Sequence, residues 1–372
     1  CRFLWKQVKF PSATDTSNAG TQVLKQGEVQ GGNIAAHSAG ILDIKTTVLP
    51  DADALFVTAI DKYGHELWRW TFPVDKLNQS KEELSTLSSK ATYTETDNDL
   101  TVKANNRTFV FSKKDGQLKG VSVNNRKISF ANGPRFIGAR RADRSLDQFY
   151  NHDDEKAKEK DRTYSEFPDA AVFTKLDIKE DGGNLIVTAN YKLGNLDKAQ
   201  WTINPSGVMA LDYTYNFSGV VDLMGICFDY PEEQVISKRW LGAGPYRVWQ
   251  NRIHGTQYDI WENDYNDPIP GETFTYPEFK GYFGNVSWMN IRTKEGTISL
   301  TNETPDTYIG VYQPRDGRDR LLYTLPESGI SVLNVIPPVR NKVNSTDLCG
   351  PSSQAKWVNG PQTGRIVFRF ME

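Results

Sequence analysis

The residues best suited to chemistry lie in one stretch, residues 239–262, which reads RWLGAGPYRVWQNRIHGTQYDIWE. Within it, Arg247, Trp249, Arg252 and His254 set a flat aromatic beside cations and hydrogen-bonding side chains. That combination suits a sugar, whose ring has an apolar face and an edge of hydroxyls. Gly242, Gly244 and Pro245 read as a turn, because glycine tolerates positive φ and proline fixes the exit. Strands flanking that turn would present the four side chains near one rim. Trp240 and Trp261 read as core, since Trp is highly buried on average. An Arg–acid pair here serves equally well as a structural ion pair.

A second chemistry is open to the same stretch. Interconversion of sugar anomers needs a general acid and a general base on opposite sides of the ring. His254 with Glu262, Asp259 or Glu278 is the set available, although a lone His in a loop is more often structural. Metal chemistry is not indicated. Cys1, Cys227 and Cys349 are far apart, the four His are scattered singly, and no pair has ligand spacing. The cysteines read as free thiols, with one disulfide left open. No metal and no cofactor is expected.

The elements that must position these residues are strands. Aromatics make up 12% of the 372 residues, and Gly and Pro recur every few positions, which is an all-β composition. Residues 185, 187, 189, 191 and 193 (Leu185, Val187, Ala189, Tyr191, Leu193) form one apolar stripe. Met209, Leu211, Tyr213, Tyr215 and Phe217 form another, after a Pro205-Ser206-Gly207 turn. Period 2 sustained this long excludes helix. Further strands are expected at 286–292, 297–301, 307–313, 330–334 and 365–370, and a hairpin at 108–123 turns at Gly116. In the first part, strands are expected at 42–46, 55–60 and 66–72, whereas residues 12–32 are polar and Gly-rich. The mixed-charge run at 153–162 reads as a solvated segment. A formal net charge of -2 argues against a nucleic-acid partner, and no run approaches the ~18 apolar residues of a membrane span. Cys1 reads as an internal residue of a longer polypeptide, because Phe3, Trp5, Val8 and Phe10 begin an apolar pattern at once.

Trp240-Leu241-Gly242-Ala243-Gly244-Pro245 with Arg252 resembles the G-x-G-P-x-E-x-Y-x-D-R signature of the small-chain domain of family 2 β-galactosidases. Arg247, Trp249 and Asn251 replace its Glu, Tyr and Asp. The run from Thr108 to Val123 is similar to the start of that domain. The run from Pro134 to Asp143 is similar to a segment bordering the active site, with Arg140 and Asp143 retained in type. Residues 59–73 resemble the end of the immunoglobulin-like domain that precedes it.

The resemblance implies an immunoglobulin-like β-sandwich at 1–78, a linker at 79–90, and a large galactose-mutarotase-like β-sandwich, or supersandwich, at 91–372. It also implies a carbohydrate ligand and a catalytic barrel elsewhere in the same polypeptide. The strand-and-helix alternation of a (β/α)₈ barrel is missing from this sequence. Carbohydrate-facing positions carried over by the resemblance, with the aromatic–cation cluster, are Arg140, Asp143, Arg247, Trp249, Arg252, His254, Glu278, Lys280 and Gln354. Phe279 and Lys280 stand where the family has Glu and Asn, and Gln354 stands where it has a sugar-stacking Trp. The loss of that platform implies a substrate other than simple lactose-type galactosides. Lys280, Arg140 and Arg247 are then candidates to meet a carboxylate. Asn302-Glu303 repeats the dipeptide of the family's acid/base but follows a hairpin strand. Two other readings stay open: a stand-alone carbohydrate-binding module and a mutarotase-like sugar epimerase.

Overall fold

A computed structural model of the chain describes residues 1–15, 17, 19–74, 90–141, 164–264, 281–311, 326, 328–338 and 350–372. The expected linker lies almost wholly outside them. So do the mixed-charge run, Cys349, and the site candidates Asp143, Glu278 and Lys280. Every regular element described is a strand, apart from one-turn 3₁₀ segments at Glu232–Gln234 and Pro351–Ser353. No helix among the described residues is long and apolar enough to cross a membrane.

The first sheet is antiparallel, with β1 (Arg2–Lys9), β2 (Gln22–Gln30), β3 (Ala54–Ile60) and β4 (Glu66–Pro73) in the order β2-β1-β3-β4. Strand β2 falls in the polar stretch where no strand is expected. It is an edge strand, and side chains such as Lys25, Gln26 and Glu28 discourage a further partner. The strand expected at 42–46 is absent. Leu42, Ile44 and Thr46 are half-buried and Asp43 and Lys45 exposed, so burial alternates there without a ladder. A side chain supplies the missing bonds. Buried Gln7 donates to Thr46 Oγ1 (3.0 Å) and Thr47 O (2.8 Å) and accepts from Leu49 N (2.7 Å). The described part of residues 1–74 is thus one sheet, and its immunoglobulin-like character and boundary at 78 stay proposals.

The remaining strands build two large sheets. One contains β5 (Thr92–Glu95), β6 (Asp99–Ala104), β7 (Arg107–Ser112), β8 (Leu118–Val123), β9 (Arg126–Ile128), β10 (Ala131–Arg141), β11 (Tyr164–Glu166), β16 (Leu223–Asp229), β19 (Phe283–Gly284), β22 (Tyr308–Val311) and β23 (Ile330–Val335). Its main path is β19-β22-β23-β16-β10-β8-β7-β6-β5. The other contains β12 (Val172–Asp181), β13 (Asn184–Lys192), β14 (Leu196–Ile203), β15 (Met209–Val221), β17 (Val235–Gly244), β18 (Gln257–Asp264), β20 (Trp288–Thr293), β21 (Gly296–Asn302) and β24 (Lys356–Met371). It runs β12-β13-β14-β15-β24-β21-β20-β17-β18.

The two sheets enclose one core, in which Phe111, Phe130, Trp201, Phe228 and Phe368 meet ring to ring. Both apolar stripes face it as the period-2 pattern requires, with one exception. Leu193 is exposed at positive φ (59°), so the first stripe ends at Tyr191 and the turn begins there. The 365–370 strand is the buried end of a 16-residue strand, β24. Its polar first half, KWVNGPQTG, is held in place by unbroken pairing with β15 from Val221↔Lys356 onward. The small sheet docks on this body through Val8, Phe10 and Phe56 against Leu241 and Trp288. Arg69–Asp259 (2.9 Å, both largely buried) and Thr71 Oγ1 to Tyr258 O (3.0 Å) add polar contacts.

Candidate functional site

The expected Gly242–Pro245 turn is corrected by the structure. Strand β17 runs through Gly242 to Gly244, paired with β18 on one side and β20 on the other. Neither glycine has a positive φ. They are required for close packing: a Cβ on Gly244 would stand 2.5 Å from the Trp261 ring, and one on Gly242 3.0 Å from Val286 Cα. The chain leaves the strand through a cis Gly244–Pro245 peptide, and the site residues follow in a loop.

That loop is anchored. Val248 and Tyr282 exchange backbone bonds of 2.7 and 2.9 Å, and Trp249 and Arg252 close a tight turn, with Arg252 N to Trp249 O at 2.8 Å. Beneath it, Val248, Trp249 and Tyr282 pack with Ile137, Ala139, Leu223, Cys227, Leu333 and Ile336 in a second core on the other face of the β10–β16–β23 sheet. Gln250 Nε2 donates to Ser352 O (2.9 Å) and Gln354 O (2.7 Å), and Asn251 Nδ2 to Ser353 Oγ (3.2 Å). Asp222 N donates to Ala139 O (2.9 Å), and Trp357 stands across from Val220 at the start of β24. Four stretches far apart in sequence therefore meet. They are the end of β10 with Arg140, the 247–252 loop, Tyr282 just after 277–280, and 352–354 with Gln354.

The meeting assigns different roles from those expected to two residues. Trp249 is 5% exposed and lies edge-on to Tyr282 (5.7 Å, 81°). It anchors the loop and offers no open face to a sugar. Arg247 is also buried, its guanidinium 5.1 Å over the Phe283 ring, so it is not placed to meet a ligand carboxylate. The role of Trp249 follows from the small core under the loop, which no local pattern announces, whereas Arg247 packs on Phe283 of the main core. Arg252 and His254 are exposed, and Arg140 and Gln354 are half-buried. Two exposed aromatics were not expected as site residues: Tyr246 (49%) and Trp357 (71%). The signal for Trp357 was its place three residues after Gln354 in an otherwise polar run. Trp240 is core, as read from sequence, and Trp261 is half-buried against it.

The acid/base sets fare less well. Asp259 is held by Arg69 (2.9 Å) and by the Thr21 hydroxyl (2.5 Å), so it secures the small sheet and is not an available base for His254. Glu303 bonds Arg365 Nε (3.0 Å), and Arg365 also bonds Asp212. Asn302 donates to Thr307 Oγ1 (2.9 Å). The Asn-Glu dipeptide is thus a strand-end brace. Among the described residues, no group of three or more His, Cys, Asp or Glu stands close enough to hold a metal ion.

Comparison with known families decides the lineage. The family model described as "Beta galactosidase small chain" matches residues 103–334, more than half of the chain. The chain belongs to the β-galactosidase small-chain family. No curated relative matches the sequence. Among solved structures, this small chain is similar to galactose 1-epimerase from Lactobacillus acidophilus NCFM at 9% identity and a TM-score of 0.41. That match covers 77% of this chain and 99% of the other. It is similar also to the GalM/aldose epimerase homologue from C. elegans at 7% identity and a TM-score of 0.34, covering 76% and 99%. The small-chain match runs from within β6 to within β23 and includes the 247–252 loop.

Proposed function

We propose that this small chain is the C-terminal, non-catalytic part of a family 2, β-galactosidase-type glycoside hydrolase. It forms one carbohydrate-facing wall of the active-site mouth, and the catalytic carboxylates stand on a barrel elsewhere in the same polypeptide. The observation that supports this best is that three of the four stretches pack in one small core, through Ala139, Trp249 and Tyr282, and the fourth is tied to the same loop by Gln250. Stretches that the family likeness assigns to the wall lie more than 200 positions apart, yet their described parts meet at the 247–252 loop. Chemistry supports the same reading. Glycoside hydrolysis needs two carboxyl groups about 5–10 Å apart on either side of the bond. The Glu of the one acid/base-like dipeptide is instead braced by Arg365.

On this reading Arg252, His254, Tyr246 and Trp357 present the exposed face. Arg140 and Gln354 border it, and Asp143, Glu278 and Lys280 lie outside the described residues. The test uses the polypeptide that carries the barrel. Arg252→Ala and Trp357→Ala should each raise KM for the saccharide substrate by about tenfold, the loss of one good contact. Lys25→Ala, on the far edge strand β2, should change neither KM nor kcat. Unchanged kcat/KM in both rim variants overturns the proposal.

A further inference from the structure

We infer that the chain carries a second saccharide site, in a cleft beside β10, and that this site takes a neutral oligosaccharide. The inference deepens the carbohydrate reading above but does not depend on where a barrel sits. None of residues 245–254 lines the cleft.

The cleft exists because β10 changes neighbours. On one side it pairs with β16 from Arg135↔Cys227 to Ala139↔Leu223. On the other side it meets β8 at Gly133↔Leu118 and β11 from Ala139↔Glu166 to Arg141↔Tyr164. Between those two contacts no strand among the described residues pairs with it. Phe167 N donates to Gly138 O (2.8 Å), which marks the direction of the open side. Alternation along an antiparallel strand then aims the Phe136 N–H and C=O the same way. A cavity of about 470 Å³ opens here, lined by Gln117, Arg135, Phe136, Glu166, Phe167 and Asp169 among others. That volume is within the roughly 300–1,000 Å³ of ordinary ligand sites.

The lining chemistry is that of a sugar site. Phe167 supplies apolar surface, Arg135 donates, Glu166 and Asp169 accept, and Gln117 does both. Arg135 is fixed before any ligand arrives: its Nη2 lies 2.7 Å from Asp229 Oδ1, and Asn132 Nδ2 holds Asp229 Oδ2 at 2.8 Å. Pre-fixed donors lose little entropy on binding. With Arg135 offset by Asp229, Glu166 and Asp169 leave the cleft acidic, which disfavours a carboxylated saccharide. Cys227 also lines the cleft, but burial pushes its thiol up to about 11 against the opposing effect of Arg135, so the cleft binds and does not react. The length of the ligand follows from Gln117. It also lines a second hollow of about 390 Å³, together with Asp99, Lys114, Asp115 and Lys119. A ligand longer than one ring reaches across Gln117 from one to the other.

The test is calorimetric titration of the full 372-residue chain with β-1,4-galactotriose and, separately, with trigalacturonate. The neutral trisaccharide should bind saturably, and Gln117→Ala and Glu166→Ala should each weaken it by about tenfold, with unchanged circular dichroism. No saturable heat with wild type at about 10 mM galactotriose overturns the inference. Tighter binding of trigalacturonate overturns it as well. Binding that survives both cleft variants and disappears with Arg252→Ala belongs to the rim, and overturns the cleft while leaving the wall standing.

Discussion

Trp249→Ala separates an anchor from a sugar platform. Trp249 is almost fully buried, belongs to a core of nine residues that includes Tyr282 and Ile336, and its indole N–H has no hydrogen-bond partner there. Its contribution is therefore packing alone. A buried Trp removes about 150–250 Å² from water, and at ~25 cal/mol per Å² this is about 4–6 kcal/mol before the share an Ala retains. The edge-on contact with Tyr282 adds about 0.5–1.5 kcal/mol. Truncation should leave a cavity and cost about 4 kcal/mol, within the ~3–5 of buried Trp and Phe truncations. Trp249→Phe, which abandons no hydrogen bond, should cost only about 1–2 kcal/mol. Urea unfolding followed by far-UV circular dichroism reads both as shifts of the midpoint. An alanine variant that loses less than about 1 kcal/mol while losing sugar binding would refute the reasoning and restore Trp249 as a platform.

Three further outcomes follow from the same geometry. Gly244→Ala forces a Cβ to 2.5 Å from the Trp261 ring and should cost about 1–3 kcal/mol in the same assay, although its φ is ordinary. Gln250→Leu removes the bonds to Ser352 O and Gln354 O, so hydrogen exchange at 352–357 should accelerate at least about tenfold while β7 and β8 stay protected. Cys227 should resist iodoacetamide at pH 7.5 while exposed Cys1 is labelled, as peptide mapping will show. Burial keeps the Cys227 proton on in the folded chain until about pH 11, whereas an unfolded thiol loses it near pH ~8.5. The stability linked to this thiol is accordingly present below about pH 8.5 and declines as pH rises toward 11.

The all-β sandwich was legible because its strands carry their own pattern. Leu211 to Phe217 alternate in burial, with only buried Ala210 breaking the pattern before them, and the Gly116 turn sits between two apolar runs. What escaped was set by neighbours. Strand β2 and the first half of β24 are polar, and only the ladders they join make them strands. Residues 42–46 have the right alternation but no partner strand, because the Gln7 side chain takes the nearby bonds.

The candidate site was legible as a set of stretches and not as roles. Family likeness brought 247–252 and 354 together before the structure did. Whether Trp249 points out or in depends on Ile137, Leu333 and Ile336, more than 80 residues away in sequence. The β10 cleft left no sequence signal at all, since a gap between β8 and β11 is a property of two pairings.

The proposed division of labour between wall and barrel is tested most directly by the turnover of the 372-residue chain on an aryl β-galactoside. The expected result is no release above the uncatalysed rate, with or without Glu303→Gln. Turnover that is measurable in the wild-type chain and abolished by changing one of its own carboxylates, Glu303 or another, would contradict a non-catalytic wall.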